Sequence, residues 1–220
     1  MAILARNTGR SGIAWHIPGA PPDQKTDRGR PAHLSDDGKR LYFTDAGETF
    51  LQRTDGSASV RIGEGRPTGR CAESPDGNWL AVVRPNKSPE TSVLLPTGAG
   101  QERPLGGRLV AWFPDGKKYL LSGKGNRTWI ERFEGGATTP AFPEGKNPPP
   151  LQEMSLSPDG RYLSGLTPDG KWAIYKLGEG TERAVQGLDA TDVHLTWMPD
   201  GQSWLVTKNA GPWGIYQIDA

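Results

Sequence analysis

The sequence predicts an all-β fold, and three observations support this prediction. Glycine and proline are abundant, at 30 and 20 of 220 residues, which is typical of a chain with many tight turns. Five of the Asp-Gly pairs recur at a regular spacing, and each of these is followed by a short apolar run. A helical period of 3.6 residues is not sustained anywhere in the chain. We therefore expect a series of short strands joined by turns.

The Asp-Gly pairs define a repeat. They lie at Asp37-Gly38, Asp76-Gly77, Asp115-Gly116, Asp159-Gly160 and Asp200-Gly201. Successive glycine numbers differ by 39, 39, 44 and 41. A period of roughly 40 residues with several short strands in each copy is typical of a β-propeller blade.

Each repeat contains the same elements in the same order. A short innermost strand precedes the Asp-Gly turn. The second strand follows it, at RLYFT (40–44), WLAVV (79–83), YLLSG (119–123), YLSGL (162–166) and WLVTK (204–208). After a polar break comes the third strand, at TFLQR (49–53), TSVLL (91–95), TWIER (128–132), WAIYK (172–176) and GIYQI (214–218). A weaker fourth strand leads to the next repeat, so we predict four-stranded antiparallel blades.

The turns have a physical role of their own. Proline presets φ for the first central position, aspartate accepts hydrogen bonds from nearby amides, and glycine takes the positive φ. We therefore interpret these aspartates as turn formers rather than catalytic carboxylates or metal ligands. The additional triplet Pro168-Asp169-Gly170 is predicted to join the second and third strands of one blade. Trp112 and Trp197, four residues before a turn glycine, are predicted to pack between neighbouring blades.

We predict a single propeller domain over residues 1–220, with about six blade units of which the first and last are incomplete. Residues 3–17 resemble residues 205–218, which suggests a partial blade at 1–28. In a five-bladed ring, the alternative, this segment would supply a missing outer strand. Incomplete terminal blades have open edges and predict a homo-oligomer. The other repeat units span about 29–65, 66–105, 106–145, 146–188 and 189–220.

Composition and charge exclude several classes of partner. The 26 Lys and Arg residues balance 25 Asp and Glu residues, so no nucleic-acid partner is expected. No apolar run approaches the length of a membrane span. The start, MAILARNTGR, lacks the apolar core of a signal peptide, and the single Cys71 leaves no intramolecular disulfide. We expect a cytoplasmic protein as given, or a periplasmic one if the chain is a module of a larger exported or membrane-anchored protein.

One face of the predicted propeller carries basic residues. The mouth face, as we call it, holds the loops that lead into the innermost strands and those that join second to third strands. Guanidinium groups there suit recognition of carboxylates or phosphates, and an exposed tryptophan suits a protein contact. The candidate ligand-binding residues are Arg30, Arg70, Arg108, Arg127 and Trp213.

The best acid–base pair is Glu153 with His194, because both precede the turn glycine by seven residues in adjacent repeats. No histidine shows metal-ligand spacing, and we expect no required cofactor. Asp45 and Asn7 lie in mouth-face loops, where their oxygen atoms suit a calcium ion in the tunnel.

Four repeats carry a recognisable motif: ESPDGNWLAVV, WFPDGKKYLL, LSPDGRYLSGL and WMPDGQSWLV. They resemble the repeats of the TolB-like propeller family, including the C-terminal propeller modules of bacterial membrane kinases and regulators. The resemblance implies a β-propeller that binds a protein or a ligand. Because the motif residues serve turns and the core, the resemblance is informative about fold rather than site.

The sequence thus predicts a non-catalytic module whose mouth face contacts a protein or an anionic ligand. Two alternatives stay open. One is a calcium-assisted hydrolase of lactones, esters or phosphotriesters, which rests on similarity of fold to six-bladed lactonases and phosphotriesterases. The other is a self-assembling scaffold with blades completed between subunits. We favour the absence of enzymatic activity.

Overall fold

The computed structural model describes residues 13–15, 24–26, 30–35, 37–68, 72–84, 92–188, 191–208 and 215–219. For residues 13–15, 24–26, 30–32, 126, 193–195 and 208 it describes the backbone alone. The described strands are antiparallel to their neighbours and form six sheets, here A to F in chain order. A 3₁₀ turn at Lys124–Asn126 is the one helical element in the described ranges.

The strands follow one another in chain order within every sheet. Sheet A pairs β1 (Ile13–Trp15) with β2 (Gln24–Thr26). Sheet B contains β3 (Arg30–Leu34), β4 (Arg40–Asp45), β5 (Glu48–Arg53) and β6 (Val60–Glu64). Sheet C contains β7 (Arg66–Pro67), β8 (Trp79–Val83), β9 (Ser92–Pro96) and β10 (Arg103–Pro104).

The second half of the chain repeats this pattern. Sheet D contains β11 (Arg108–Trp112), β12 (Lys118–Ser122), β13 (Thr128–Arg132) and β14 (Thr139–Pro140). Sheet E contains β15 (Gln152–Leu156), β16 (Tyr162–Leu166), β17 (Trp172–Lys176) and β18 (Glu182–Ala184). Sheet F contains β19 (Asp192–Trp197), β20 (Ser203–Lys208) and β21 (Ile215–Asp219). These sheets confirm the prediction of four-stranded antiparallel blade units, and the first and last sheets in chain order have two and three described strands.

The Asp-Gly turns form as the sequence predicts. In the first, the hydroxyl of Ser35 and the backbone amide of Lys39 both donate to Oδ1 of Asp37, at 2.6 and 3.0 Å. The glycine that follows has a φ of +68°, which favours a residue without a side chain. The hydrogen bond from Ser35 and that from the Lys39 amide hold the pKa of Asp37 below its ordinary value. These aspartates are turn formers.

The additional triplet behaves in the same way. It joins β16 to β17, and the hydroxyl of Thr167 donates to Oδ1 of Asp169 at 2.6 Å. The φ of Gly170 is +77°. One blade thus has two turns of the same design, which explains the two closely spaced copies in the sequence.

Contact density divides the chain into two compact units, Met1–Arg108 and Leu109–Ala220. In the first unit, a buried cluster joins sheets B and C and contains Tyr42, Leu51, Leu80, Val82 and Leu95. In the second, a cluster of Trp172, Ile174, Trp197, Trp204 and Val206 joins sheets E and F. Trp197 therefore packs between two sheets as predicted, and Trp112 is buried against the Tyr119 ring of its own sheet. The prediction of one domain over residues 1–220 stays a prediction.

Candidate functional site

In sheets B to F the innermost strand begins at what we call the mouth end, opposite the turn that follows this strand. Arg30 begins β3, Arg108 begins β11, and Arg127 lies in the loop between β12 and β13, so all three lie at mouth ends. Arg108 and Arg127 are exposed, and no ion pair joins either side chain to another described residue. For Arg30 the backbone alone is described, whereas Arg70 and Trp213 lie outside the described residues.

A different arginine at the mouth end of sheet C is neutralised. Arg84, which follows β8, donates from Nη1 and Nη2 to the two carboxylate oxygens of Glu102, at 3.1 and 2.5 Å. Its Nε lies 3.8 Å from Oε2 of Glu64, and the side chain is 11% exposed. The hydrogen bond to Glu102 raises the pKa of Arg84. No local sequence pattern indicates this bidentate ion pair, because Arg84 and Glu102 are 18 residues apart.

The predicted acid–base pair falls at corresponding positions of two neighbouring sheets. Glu153 lies in a bulge of β15 between Gln152 and Ser155, and His194 lies in a bulge of β19 between Val193 and Thr196. Glu153 is exposed, and its φ of +50° is in the left-handed region that non-glycine residues rarely adopt. The side chain of His194 is outside the described residues. Their role as acid and base stays a prediction.

Two further observations concern metals and membranes. Within the described part of the chain, no three or more His, Cys, Asp or Glu side chains cluster closely enough to hold a metal ion. Of the two residues predicted to bind calcium, Asp45 ends β4 and Asn7 lies outside the described residues. A search of the described residues finds no helix long and apolar enough to cross a membrane.

The first unit contains a buried ionic cluster that the sequence analysis missed. The carboxylate of Glu73, from the segment before β8, accepts hydrogen bonds from Nε of Arg40 at 2.7 Å and from the hydroxyl of Tyr42 at 2.6 Å. Nε2 of His33 lies 3.9 Å from its other oxygen, and the His33 and Tyr42 rings stack at 5.8 Å. The side chain of Glu73 is 7% exposed and that of Arg40 is 24% exposed. We call these four residues the ionic cluster.

The environment fixes the charge of Glu73. Burial raises the pKa of its carboxyl, but the contacts from His33, Tyr42 and Arg40 outweigh burial, and the pKa lies below its ordinary value. Burial and the hydrogen bond to Glu73 raise the pKa of Tyr42, so the phenol stays protonated and donates. The cluster therefore holds an ionised carboxylate between sheets B and C.

A signal for this cluster was present in the repeat. Glu73 stands four residues before its turn glycine, at the position that holds Trp112 and Trp197 in other repeats. The other two repeats have leucine there, and an acid at a position that is otherwise apolar is buried only if its charge is compensated. An alignment of the repeats on that position identifies Glu73 as unusual. The second strand of the preceding repeat, β4, then offers Arg40 and Tyr42 as its partners.

Comparisons with known proteins bear on the fold. No protein-family model matches this chain, and no curated protein sequence matches it. Among solved structures, a protein assigned as TolB from Agrobacterium tumefaciens has a TM-score of 0.63 and 18% identity, covering 89% of this chain and 79% of that one. TolB from Acinetobacter baumannii has a TM-score of 0.54 and 16% identity, covering 80% of this chain and 48% of that one.

An enzyme also appears among the similar structures. Hydrazine synthase from Kuenenia stuttgartiensis has a TM-score of 0.59 and 17% identity, covering 93% of this chain and 66% of that one. At identities this low the likeness concerns fold and not activity. The antiparallel sheets, the Asp-Gly turns and these structural neighbours agree, and the fold of this chain is that of a TolB-like β-propeller.

Proposed function

We propose that this chain is a non-catalytic interaction module whose mouth face contacts a protein or an anionic ligand. The residues proposed for this contact are Arg30, Arg70, Arg108, Arg127 and Trp213. The observation that carries the proposal is the exposure of Arg108 and Arg127 without an ion pair to any described residue. A guanidinium without a carboxylate partner among the described residues can pair with a carboxylate or phosphate of a bound partner.

The contrast with Arg84 supports this reading. At the mouth end of sheet C the chain supplies Glu102 and Glu64 to an arginine, and that arginine is largely buried. At the start of β11 and in the β12–β13 loop it supplies no such partner among the described residues. Among the described residues, Arg84 is thus neutralised, whereas Arg108 and Arg127 have no such partner.

The test measures binding of a fluorescein-labelled hexaglutamate peptide by fluorescence anisotropy at low and moderate salt. We expect the double variant Arg108→Gln with Arg127→Gln to bind about threefold to tenfold more weakly, since each exposed ion pair contributes little by itself. The matched control is Arg132→Gln, an exposed arginine at the other end of β13 in the same sheet. We expect it to bind as the wild type does.

Two results would contradict the proposal. One is an anisotropy that does not change with protein concentration. The other is equal binding by the double variant and by Arg132→Gln, which would mean that general charge attracts the peptide. Localisation in the cytoplasm, or in the periplasm as part of a larger exported chain, belongs to the same proposal and is tested by fractionation of cells that produce the protein.

A further inference from the structure

A cleft of about 820 Å³ opens between sheets E and F at the turn end, opposite the mouth end. Its floor is formed by Ile174 and Trp197, which are buried, and by Tyr162, which is half-buried. One wall is the β17–β18 hairpin of sheet E. The other is the β19–β20 turn of sheet F together with the last residue of β21. A cleft of this volume is in the range of ligand-binding sites in proteins.

Most charges that line the cleft are already paired within sheet E. Nε of Arg161 lies 2.6 Å from Oδ2 of Asp159, and Nζ of Lys176 lies 2.6 Å from Oε1 of Glu179. Asp200 is engaged by its own turn, because its Oδ1 accepts from the backbone amide of Gln202 at 2.8 Å. These groups form a charged rim and offer little to a ligand.

Two charges of the cleft are not paired. Arg183 lies on β18 of sheet E and Asp219 ends β21 of sheet F, and both side chains are exposed. No ion pair or hydrogen bond joins either side chain to another described residue. The two walls of the cleft thus present opposite charges, a guanidinium on one and a carboxylate on the other, with an apolar floor between them.

Neutral polar groups complete the lining. The side-chain amide of Gln202 and the hydroxyl of Thr181 are exposed to the cleft, and neither has a hydrogen-bond partner in the described part of the chain. An amide can donate to and accept from a peptide backbone. A single small ion would pair with the charge on one wall, with either Arg183 or Asp219. It would leave the opposite charge without a partner and the apolar floor without a contact.

We propose that this cleft binds an extended peptide segment in which an acidic and a basic side chain flank an apolar one. Alternate side chains of an extended peptide project to the same side, so a pattern such as Glu-x-Phe-x-Lys presents all three together. The acidic side chain pairs with Arg183, the basic one with Asp219, and the apolar one covers Trp197. The site is distinct from the mouth face, and it does not depend on the arginines proposed above.

The test titrates the full chain with three blocked peptides and follows binding by calorimetry and tryptophan fluorescence. The peptides are acetyl-Glu-Gly-Phe-Gly-Lys-amide and two versions in which glutamine replaces either the glutamate or the lysine. We expect the doubly charged peptide to bind most tightly. Each glutamine version is expected to bind about twofold to fivefold more weakly, as for the loss of one exposed ion pair.

Variants assign each charge to its wall. Arg183→Gln is expected to weaken binding of the peptide that keeps only glutamate, and to leave binding of the peptide that keeps only lysine unchanged. Asp219→Asn is expected to do the reverse. Thr181→Trp fills the cleft and should abolish binding of all three peptides. The matched controls Arg132→Gln and Glu134→Gln alter exposed charges of sheet D outside the cleft, and should change nothing.

Three outcomes would overturn the proposal. The first is no saturable binding of any peptide. The second is binding that Thr181→Trp leaves intact, which would place the peptide elsewhere on the chain. The third is equally tight binding of inorganic phosphate or ethylammonium alone, which would assign the cleft to a small ion and not to a peptide.

Discussion

Sheet C meets sheet B, and sheet F meets sheet E, at the same position of the repeat but with opposite chemistry. Four residues before the turn glycine, sheet C has the carboxylate of Glu73 and sheet F has the indole of Trp197. Each contacts the residue four positions after the turn glycine of the preceding repeat. The hydroxyl of Tyr42 donates to Glu73 at 2.6 Å, whereas Nε1 of Trp197 donates to Oγ of Ser164 at 3.2 Å.

The difference shows that the fold requires this position to be filled and does not require one particular chemistry. Leucine occupies it in two other repeats, at Leu34 and Leu156, and Nε1 of the buried Trp112 has no hydrogen-bond partner among the described residues. The indole of Trp197 fills the space between the two sheets by itself, and its N–H needs one hydrogen-bond acceptor. A carboxylate is smaller and charged, and it is stable in the interior only because Arg40, Tyr42 and His33 surround it. We therefore expect the ionic contact to depend on pH and on several residues, and the aromatic contact to depend on volume.

The largest expected effect is that of Trp197→Ala. Removing a buried tryptophan should lower the free energy of unfolding by about 3–5 kcal/mol, because a cavity forms between sheets E and F. Trp197→Phe keeps a ring and loses the hydrogen bond to Ser164, and should cost about 1–2 kcal/mol. Urea unfolding followed by circular dichroism measures both. A loss from Trp197→Ala no greater than that from Val60→Ala, at a side chain that is 60% exposed, would contradict this account.

Glu73→Gln is expected to have the next largest effect, a loss of about 2–4 kcal/mol, because it removes the buried counter-charge of Arg40. The more exposed Asp37, whose Oδ2 lies 3.4 Å from Nη1 of Arg40, is then its remaining partner. The pKa of Glu73 is below its ordinary value in the folded protein. Its charge therefore adds stability above the pKa of an unfolded glutamate, and that stability is lost as the pH falls through the lower folded value. The wild type should thus lose more stability than Glu73→Gln between about pH 6 and pH 3.

The difference between those two pH profiles gives the contribution of the ionic cluster to the free energy of unfolding. Asp76 and Asp159 also have lowered pKa values, and they contribute equally to the wild type and the variant. Glu134→Gln, at an exposed glutamate, is the control and should follow the wild-type profile. Parallel profiles for the wild type and Glu73→Gln would show that the pKa of Glu73 is the same in the folded and unfolded states, and would contradict the prediction. A wild type that gains stability relative to Glu73→Gln as the pH falls would show that the carboxyl is protonated in the folded state.

The smallest effects are expected where one hydrogen bond is removed from each contact. Tyr42→Phe removes a donor to a charged carboxylate and should cost about 1.5–3 kcal/mol. Ser164→Ala removes the neutral acceptor of Trp197 and also the hydrogen bond that the Ser164 hydroxyl donates to the Ser155 carbonyl at 3.1 Å, and should cost about 0.5–1.5 kcal/mol. The same urea experiment compares them directly. Equal costs would mean that the charge of Glu73 does not strengthen its hydrogen bond, and the proposed difference between the two contacts would fail.

The sequence predicted the fold because its signals are local. The turn chemistry of Ser35 to Lys39, the apolar run of β8 and the spacing of the glycines are all determined within a few residues. The role of Trp197 followed from its fixed position before a turn. Such features need no knowledge of which sheet lies beside which.

The features that the sequence analysis missed are non-local. Arg84 is neutralised by Glu102 across 18 residues, and Arg40 reaches Glu73 across 33. The cleft depends on how two sheets diverge at their turn ends and on which charges remain after Arg161 and Lys176 find partners. Of the mouth-face residues, exposure of Arg108 and Arg127 agrees with the prediction, and their binding role stays a proposal.

The turn glycine of sheet C, Gly77, also leaves space for the side chain of Arg40. A Cβ at Gly77 would lie 2.6 Å from Nη2 of Arg40, so the guanidinium rests against bare backbone. Repeats of this chain are consequently not interchangeable parts. Grafting residues 111–119 onto positions 72–80 would keep the Pro-Asp-Gly turn. It would also replace Glu73 with a tryptophan, so that the guanidinium of Arg40 would face an indole instead of a carboxylate. A chimera or an idealised repeat of this protein must therefore keep the four residues of the ionic cluster together, and must keep Gly77 beside Arg40.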